Sequence, residues 1–220
     1  MTPERLYRLK HILNRRQPDL TVLLDDVHKP HNFSAIVRTA DAVGVAEMHG
    51  VWANSKLRVG NHTSGGSRKW IKIKTHSSIE RAHASLSDLG FTIYAAHLSS
   101  RSIDYREIDY TTPTAIMLGA ELDGLSNAAV ALADQHIAIP MEGAAKSLNV
   151  SVAAALILYE AQRQRQLAGF YEKRRLTDVV YNRTLFEWLH PDVAEYCRKH
   201  KRDYPKINNH GELIDFTMVS

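Results

Sequence analysis

Three short groups of polar residues, far apart in the chain, have the residue types and spacing needed to bind a small molecule. The third group, Ser147-Leu-Asn-Val-Ser151, lies between a short apolar run that ends at Pro140 and a strongly helix-forming stretch. The first backbone N–H groups of a helix have no partner inside that helix. Ser147, Asn149 and Ser151 therefore either cap the helix or present their side chains to a ligand, and this segment alone leaves both readings open.

The first group contains Asn32 and Arg38 and overlaps a helix that we predict over residues 33–43. Asn32 stands where a side-chain oxygen caps the start of that helix. Arg38 lies about a turn and a half further on among apolar residues, where a charge is costly unless something pairs with it. Its partner is either Asp41, one turn on, or a phosphate of the substrate.

The second group is Leu118-Gly-Ala-Glu121-Leu-Asp-Gly-Leu-Ser126, directly after a predicted strand. Glycines at the end of a strand let the backbone approach a ligand closely, and the carboxylate of Glu121 between them suits a hydroxyl or an amine. The spacing is not G-x-G-x-x-G, and no acidic residue follows at the position that a dinucleotide site requires. This difference disfavours a nucleotide-dependent oxidoreductase on a doubly wound sheet.

The elements that must position these groups alternate between strands and helices, which predicts an α/β domain with a mostly parallel sheet. We predict strands at residues 20–27, 46–52, 70–74, 91–96, 114–118 and 136–139. We predict helices at residues 4–16, 33–43, 78–89, 127–132, 150–168, 182–189 and 191–200. This pattern divides the chain into a basic N-terminal helix (1–19) outside the main core, a central domain (20–168) and a C-terminal extension (169–220).

Positive charge is concentrated in a few segments although the formal net charge is only +4. Residues 54–74 contain basic side chains and no acidic one, and both ends of the chain are rich in arginine and lysine. A segregated basic surface is typical of proteins that bind a polyanion such as nucleic acid. We therefore expect an RNA or DNA partner.

Composition excludes several classes of protein. With 44% hydrophobic and 24% charged residues, the chain has ordinary globular composition. No apolar run approaches the roughly 20 residues that span a bilayer, and the N-terminus lacks a signal-like apolar core, so we expect a cytoplasmic protein without membrane contact. The single cysteine, Cys197, excludes an internal disulfide framework. His28 and His31 lack a third ligand nearby, so we expect no metal.

In this order, N-x5-R, G-x-E-x-x-G-L-S and I-x-I-P-M followed by S-L-N-V-S resemble motifs 1, 2 and 3 of the SPOUT methyltransferases. More closely, the chain resembles the TrmH branch, the tRNA guanosine 2′-O-ribose methyltransferases. The resemblance covers about residues 20–165. It implies an α/β fold with a deep C-terminal trefoil knot, S-adenosylmethionine as cofactor, a homodimer, and tRNA as substrate with guanosine 18 of the D-loop as the target.

The resemblance also implies roles for individual residues. Arg38 would be the catalytic arginine, supported by Asn32, Glu121, Ser147 and Asn149. The cofactor would lie against Leu98, Gly119, Glu121, Ile139, Met141, Ser147, Leu148 and Asn149. For tRNA binding we predict Arg8, Arg15, Arg16, His31, Arg163 and Arg165, together with the basic stretch at 56–74.

Two alternatives remain open from the sequence. A related enzyme of this family would methylate ribosomal RNA or the wobble nucleotide of tRNA. A protein of the same fold without activity would only bind RNA, although the intact set of motif residues argues against this.

Overall fold

A computed structural model describes residues 2–52 and 70–214 of the chain. The chain divides into two compact units, Gln17–Gly169 and a smaller one that combines Met1–Arg16 with Phe170–Ser220. The predicted basic stretch at 56–74 is described only from residue 70 onward. Its residues Lys56, Arg58, Arg68 and Lys69 lie outside the described residues.

The larger unit is built around a seven-stranded sheet in the order β3-β2-β1-β6-β4-β7-β5. All the strand pairs in this sheet are parallel, which confirms the predicted α/β class with a mostly parallel sheet. The strands are β1 (Leu20–Asp25), β2 (Glu47–Val51), β3 (Lys72–His76), β4 (Thr92–Ala96), β5 (Ser102–Asp104), β6 (Thr114–Gly119) and β7 (Gln135–Ala138).

Helices cover both faces of this sheet. They are α2 (Pro30–Ala42), α3 (Ile79–Ser87), α4 (Asn127–Leu132) and α5 (Val150–Leu167), with a short 3-10 helix at Tyr105–Glu107. Alternate residues of β1 point to opposite faces. Val22 and Leu24 pack in the core that α2 and α5 share, and Leu23 packs in the core formed with α3 and α4. The central strands β1 and β6 are therefore buried along their whole length, which is consistent with their largely apolar sequences.

The smaller unit contains α1 (Pro3–Asn14), α6 (Asp178–Leu189) and α7 (Pro191–Lys199). The apolar side of α1, with Leu6, Leu9 and Leu13, is buried, and this helix packs against α6. The two ends of the chain, which the sequence suggested as separate extensions, thus form one unit. Helix α6 starts four residues before its predicted start because Thr177 caps it by accepting a hydrogen bond from the N–H of Val180.

Two differences from the predicted elements matter for the site. Helix α2 starts at Pro30, whose fixed φ suits the first turn of a helix, and so begins three residues early. Strand β5 was not predicted because a strand of three partly exposed residues at the sheet edge carries no alternation to detect. Across residues 2–52 and 70–214, no helix is long and apolar enough to cross a membrane.

Candidate active site

An open cleft of about 1080 Å³ lies where strands β4, β6 and β7 end at their carboxyl edge. This edge is where parallel α/β sheets usually bind their ligands. Loops that follow these strands, the loop before α2 and the first turns of α5 form its walls. The size is sufficient for a nucleoside-sized ligand.

The cleft collects the residues that the resemblance assigned to the cofactor. All eight of them line it, although they come from four separate segments of the chain: Leu98, Gly119, Glu121, Ile139, Met141, Ser147, Leu148 and Asn149. Asn32 and His31 line the same cleft. The structure thus places the second and third motifs, and Asn32 of the first, side by side.

Arg38 does not line this cleft. Its side chain lies on the exposed side of α2, while its neighbours Ile36 and Val37 are buried. Its charge is therefore not buried, and the expected cost of burial does not arise. Within the described residues, the guanidinium of Arg38 forms neither an ion pair to Asp41 nor another side-chain hydrogen bond.

The glycine motif closes a tight loop between residues 119 and 124. The backbones of Ala120 and Gly124 exchange two hydrogen bonds, of 2.9 and 3.0 Å. A Cβ atom on Gly119 would lie 2.2 Å from the carbonyl group of Gly124, so no side chain fits there. Gly124 has φ of +69°, which L side chains rarely adopt. This loop holds Glu121 at the wall of the cleft.

A chain of side-chain hydrogen bonds links the three motifs. The amide Nδ2 of Asn32 donates to Glu121 Oε1, and Asn149 Nδ2 donates to Asn32 Oδ1 over 3.2 Å. The side-chain oxygen Oδ1 of Asn149 accepts a hydrogen bond of 2.8 Å from the backbone N–H of Ser151 and so caps α5. Both amides use a donor and an acceptor, which fixes the orientation of each side chain.

Asn32 is not a helix cap, contrary to the prediction. The residue before α2 is Lys29, and no side chain caps this helix. Asn32 instead lies within the first turn and is only 2% exposed. Because its side chain is not used for capping, it is available for the chain to Glu121 and Asn149.

Asp25 supports the glycine loop, and Glu121 is carried by this loop. Asp25, at the end of β1, accepts a hydrogen bond of 2.7 Å from the backbone N–H of Ser126 and fixes the end of the loop. Glu121 Oε2 is buried and has no hydrogen-bond partner within the described parts of the chain. A buried acceptor without a donor is costly, so this oxygen is suited to a donor group of a ligand. The sequence reading missed Asp25, whose only signal is an acidic residue closing an apolar strand.

A buried histidine holds the wall that contains Leu98. His136, on β7, is 2% exposed, and its Nδ1 lies 2.8 Å from Ser99 Oγ. Its Nε2 lies 3.0 Å from the carbonyl oxygen of Val130 and 3.0 Å from Arg101 Nη2. These contacts fix the turn after β4. The sequence reading missed this histidine because it stands alone in a short apolar strand.

The same wall contains His97, which lines the cleft and packs edge-on against His136. Burial, and to a smaller extent the neighbouring His136, lower the pKa of His97 below its ordinary value. The backbone N–H of His97 donates to the carbonyl oxygen of Ile137 over 3.1 Å. The end of β4 is therefore tied to β7 at the point where the cleft begins.

The prediction that Arg165 binds RNA is wrong. Its side chain is fully buried and donates hydrogen bonds to Asp19 Oδ1 over 2.6 Å and to the carbonyl oxygens of Tyr110 and Thr112 over 2.8 and 3.0 Å. A guanidinium satisfied in this way holds loops together and cannot reach a phosphate.

The prediction for Arg16 is wrong for a similar reason. Arg16 is 2% exposed, and its guanidinium lies 5.5 Å from the ring centroid of Trp188 within the smaller unit. Arg15 is half-buried and lies over Tyr171. Arg8 and Arg163 are exposed, although Arg163 also pairs with Glu160 over 2.7 Å.

Comparison with known proteins identifies the family. The model of the SpoU rRNA methylase family matches residues 19–159, and a second model, for the C-terminal part of SpoU rRNA methylases, matches residues 163–215. The chain belongs to the SpoU rRNA methylase family. The family that the three motifs predicted is therefore confirmed.

Relatives within the SpoU family are similar over nearly the whole chain. The tRNA (guanosine(18)-2′-O)-methyltransferase of Escherichia coli K12 is 52% identical over 215 residues, which are 97% of this chain and 94% of that protein. The protein of the same name from Thermus thermophilus is 53% identical over 188 residues, 86% of this chain and 97% of that protein.

Solved structures of SpoU family members share the fold. The Aquifex aeolicus TrmH/SpoU tRNA modifying enzyme has a TM-score of 0.80 and 44% identity, covering 86% of this chain and 97% of that one. The SpoU methyltransferase AviRb from Streptomyces viridochromogenes, solved in complex with AdoMet, has a TM-score of 0.62 and 30% identity, covering 70% of this chain and 61% of that one.

Proposed function

We propose that this protein transfers a methyl group from S-adenosylmethionine to the ribose 2′-hydroxyl of guanosine 18 in the D-loop of tRNA. The observation that carries this proposal is the hydrogen-bonded chain from Glu121 through Asn32 to Asn149 in a cleft lined by every residue assigned to the cofactor. The names of the similar proteins from Escherichia coli and Thermus thermophilus support this choice of substrate.

The cleft has the chemical character that S-adenosylmethionine requires. Leu98, Ile139, Met141 and Leu148 provide apolar surface suited to an adenine ring. The buried and unsatisfied Glu121 Oε2 offers an acceptor for a hydroxyl or an ammonium group. When bound, the cofactor supplies a methyl group that is already activated, so the protein must mainly position the reactants and stabilise charge.

The difficult step is activation of the ribose hydroxyl, a poor nucleophile while it keeps its proton. We assign Arg38 to this step. A guanidinium seldom gives up a proton, so Arg38 orients the hydroxyl and stabilises its developing negative charge while a substrate phosphate accepts the proton. Arg38 lies outside the cleft of its own chain. It therefore takes part only if the bound RNA spans the distance from the cleft to Arg38, or if Arg38 of a second copy lies next to the cleft.

We also propose a homodimer. On α5, Val152, Leu156 and Tyr159 are 46%, 39% and 53% exposed and follow one face of the helix at helical spacing. An exposed apolar stripe of this kind suits contact with a second copy. From the family resemblance we further propose the trefoil knot in the C-terminal third of residues 20–168, RNA contacts through Arg8, Arg15, His31 and Arg163, and a cytoplasmic location.

The test is to incubate the protein with labelled S-adenosylmethionine and separate pools of tRNA and ribosomal RNA, and to identify the methylated nucleoside. We expect label in tRNA as 2′-O-methylguanosine. Label only in ribosomal RNA, the substrate class that the family description names, would replace tRNA as the substrate. Label on a base, or RNA binding without any methyl transfer, would contradict the proposal.

A further inference from the structure

The smaller unit contains a second concave site, and none of its lining residues is assigned to the reaction. This groove has a volume of about 740 Å³ and lies between α6, α7 and the segment that follows α7. Basic side chains form its rim, and apolar side chains form its floor. The rim residues are Arg183, Arg198, Arg202 and Lys206.

One carboxylate serves two of these arginines. Arg183 Nε lies 3.2 Å and Arg198 Nη1 3.6 Å from the same Glu187 Oε1. The hydroxyl of Tyr204 donates to this oxygen as well, over 2.7 Å. A single negative charge cannot neutralise two guanidinium groups, so this side of the groove keeps a positive charge.

The rest of the groove also keeps a positive charge. Arg202 and Lys206 are exposed, and neither forms an ion pair in residues 2–52 and 70–214. The guanidinium of Arg202 lies 5.8 Å from the ring centroid of Tyr196. Asp203 is the one acidic residue in the described lining. Uncompensated charges that stay in water attract phosphates at little cost of desolvation.

The floor is apolar and partly aromatic. Phe186 and Tyr204 stack with their ring centroids 4.7 Å apart and their planes inclined by 16°. Ile207 and Ile214 continue this surface, and Ile214 is 42% exposed. A free inorganic anion would use only the rim. A nucleotide chain uses both parts, because its phosphates are anionic and its bases and riboses present large, weakly polar faces.

We propose that this groove binds the sugar–phosphate backbone of the substrate tRNA, at nucleotides other than the one that is methylated. The groove adds affinity for RNA and takes no part in the chemical step. This inference rests on the proposed function only in the choice of tRNA as the RNA. Charge complementarity and the mixed polar and apolar lining favour RNA, because every nucleotide presents a phosphate beside a ribose and a base.

The test compares the double variant R202Q/K206Q with the wild-type protein in binding an unmodified tRNA transcript at several salt concentrations. We expect affinity to fall about tenfold near 0.1 M salt. The slope of log affinity against log salt should become shallower by roughly 0.7 to 0.9 for each phosphate that the variant no longer neutralises. The single variant R202Q should show about half the change in slope.

Arg81→Gln is the matched control for R202Q, because Arg81 is an exposed arginine of α3 in the larger unit and lines neither the cleft nor the groove. It should leave the salt slope close to that of the wild type. All variants should keep the wild-type affinity for S-adenosylmethionine measured without RNA. At saturating tRNA they should keep the wild-type kcat, so the loss should appear in KM for tRNA.

The outcomes distinguish RNA binding by the groove from the proposed methyl transfer. Unchanged affinity and salt slope in R202Q/K206Q would overturn the proposal that the groove binds tRNA, whether or not the protein methylates tRNA. A weaker affinity with an unchanged slope would overturn it too, because the variant would then neutralise as many phosphates as the wild type. A shallower slope in a protein that methylates no RNA would support the groove and reject the proposed function.

Discussion

The polar side chains in the cleft of the larger unit are hydrogen-bonded to one another, whereas charged side chains at the groove of the smaller unit are exposed to water. In the cleft, Glu121, Asn32 and Asn149 bond to one another, so that their positions are set before a ligand arrives. In the groove, Arg202 and Lys206 stay in water with their charges uncompensated among the described residues. Chemistry requires a fixed geometry, whereas attraction of a polyanion requires mainly net charge. Substitutions should therefore act on geometry in one region and on salt dependence in the other.

The largest effect should come from Arg38→Lys, which tests whether catalysis depends on geometry or on charge alone. Lysine keeps the charge but not the planar fork of donors, so we expect kcat to fall by about 10³-fold. Because Arg38 is exposed, the melting temperature should not change. The measurement is single-turnover methylation at saturating tRNA, with Arg81→Lys as control. Near-wild-type turnover would remove Arg38 from the mechanism.

Arg165→Ala should mainly reduce stability. The substitution removes hydrogen bonds to Asp19, Tyr110 and Thr112 and leaves a partly buried carboxylate without its cation. We expect the free energy of unfolding to fall by about 3 to 5 kcal/mol. Arg163→Ala, two residues away and exposed, should cost less than about 1 kcal/mol. Denaturant unfolding measures both. Equal losses would contradict the structural role of Arg165.

Asn32→Ala breaks the polar chain of the cleft. Glu121 Oε1 and Asn149 Nδ2 would each lose their shared partner, so the wall would no longer be fixed. We expect kcat/KM to fall by about 100-fold, or about 2.7 kcal/mol in transition-state stabilisation. The affinity for tRNA and its salt slope should not change. Asn127→Ala, at an exposed position of α4, is the control. A loss confined to tRNA affinity would show that Asn32 serves RNA binding instead.

A smaller effect should follow from acid. Burial, with a smaller contribution from the nearby His76, Lys74 and Lys72, lowers the pKa of His49 to about 4, although Glu47 acts in the opposite direction. The neutral form is therefore favoured in the folded protein. Stability from this group is complete above the unfolded pKa of about 6.5 and is lost as pH falls from there towards 4.

Between pH 7.5 and 5 we expect a loss of about 2 kcal/mol in the free energy of unfolding that is specific to His49. His49→Gln should reduce the pH dependence of unfolding by that amount, because glutamine does not titrate. The matched control is His83→Gln, because His83 is a partly exposed histidine on α3. The same pH dependence in wild type and His49→Gln would contradict this assignment.

The sequence motifs predicted the residues of the site more accurately than the distribution of charge predicted the residues that bind RNA. Apart from Arg38, the residues of the three motifs lie together because each motif combines a strand end or helix start with a specific polar residue. Charge alone was misleading for Arg16 and Arg165, since a count of arginines does not show which of them is buried. Burial depends on contacts between distant segments, such as Arg165 with Asp19, which the local sequence does not contain.

Other features followed from contacts that no local pattern shows. Asp25 and His136 act through hydrogen bonds to loops that precede or follow other strands. Asn32 looked like a cap until Pro30 placed the start of α2 earlier. The alternation of apolar runs did predict the mostly parallel sheet, because burial on both faces requires such runs.

The polar chain of the cleft joins residues that are 89 and 117 positions apart in the sequence. During synthesis, this wall is not complete until the ribosome has passed Asn149 and the start of α5 has emerged. A ligand that binds the complete wall stabilises only the folded chain. Affinity for S-adenosylmethionine should therefore serve as a measure of how far folding has proceeded, absent in shortened chains that end before this point.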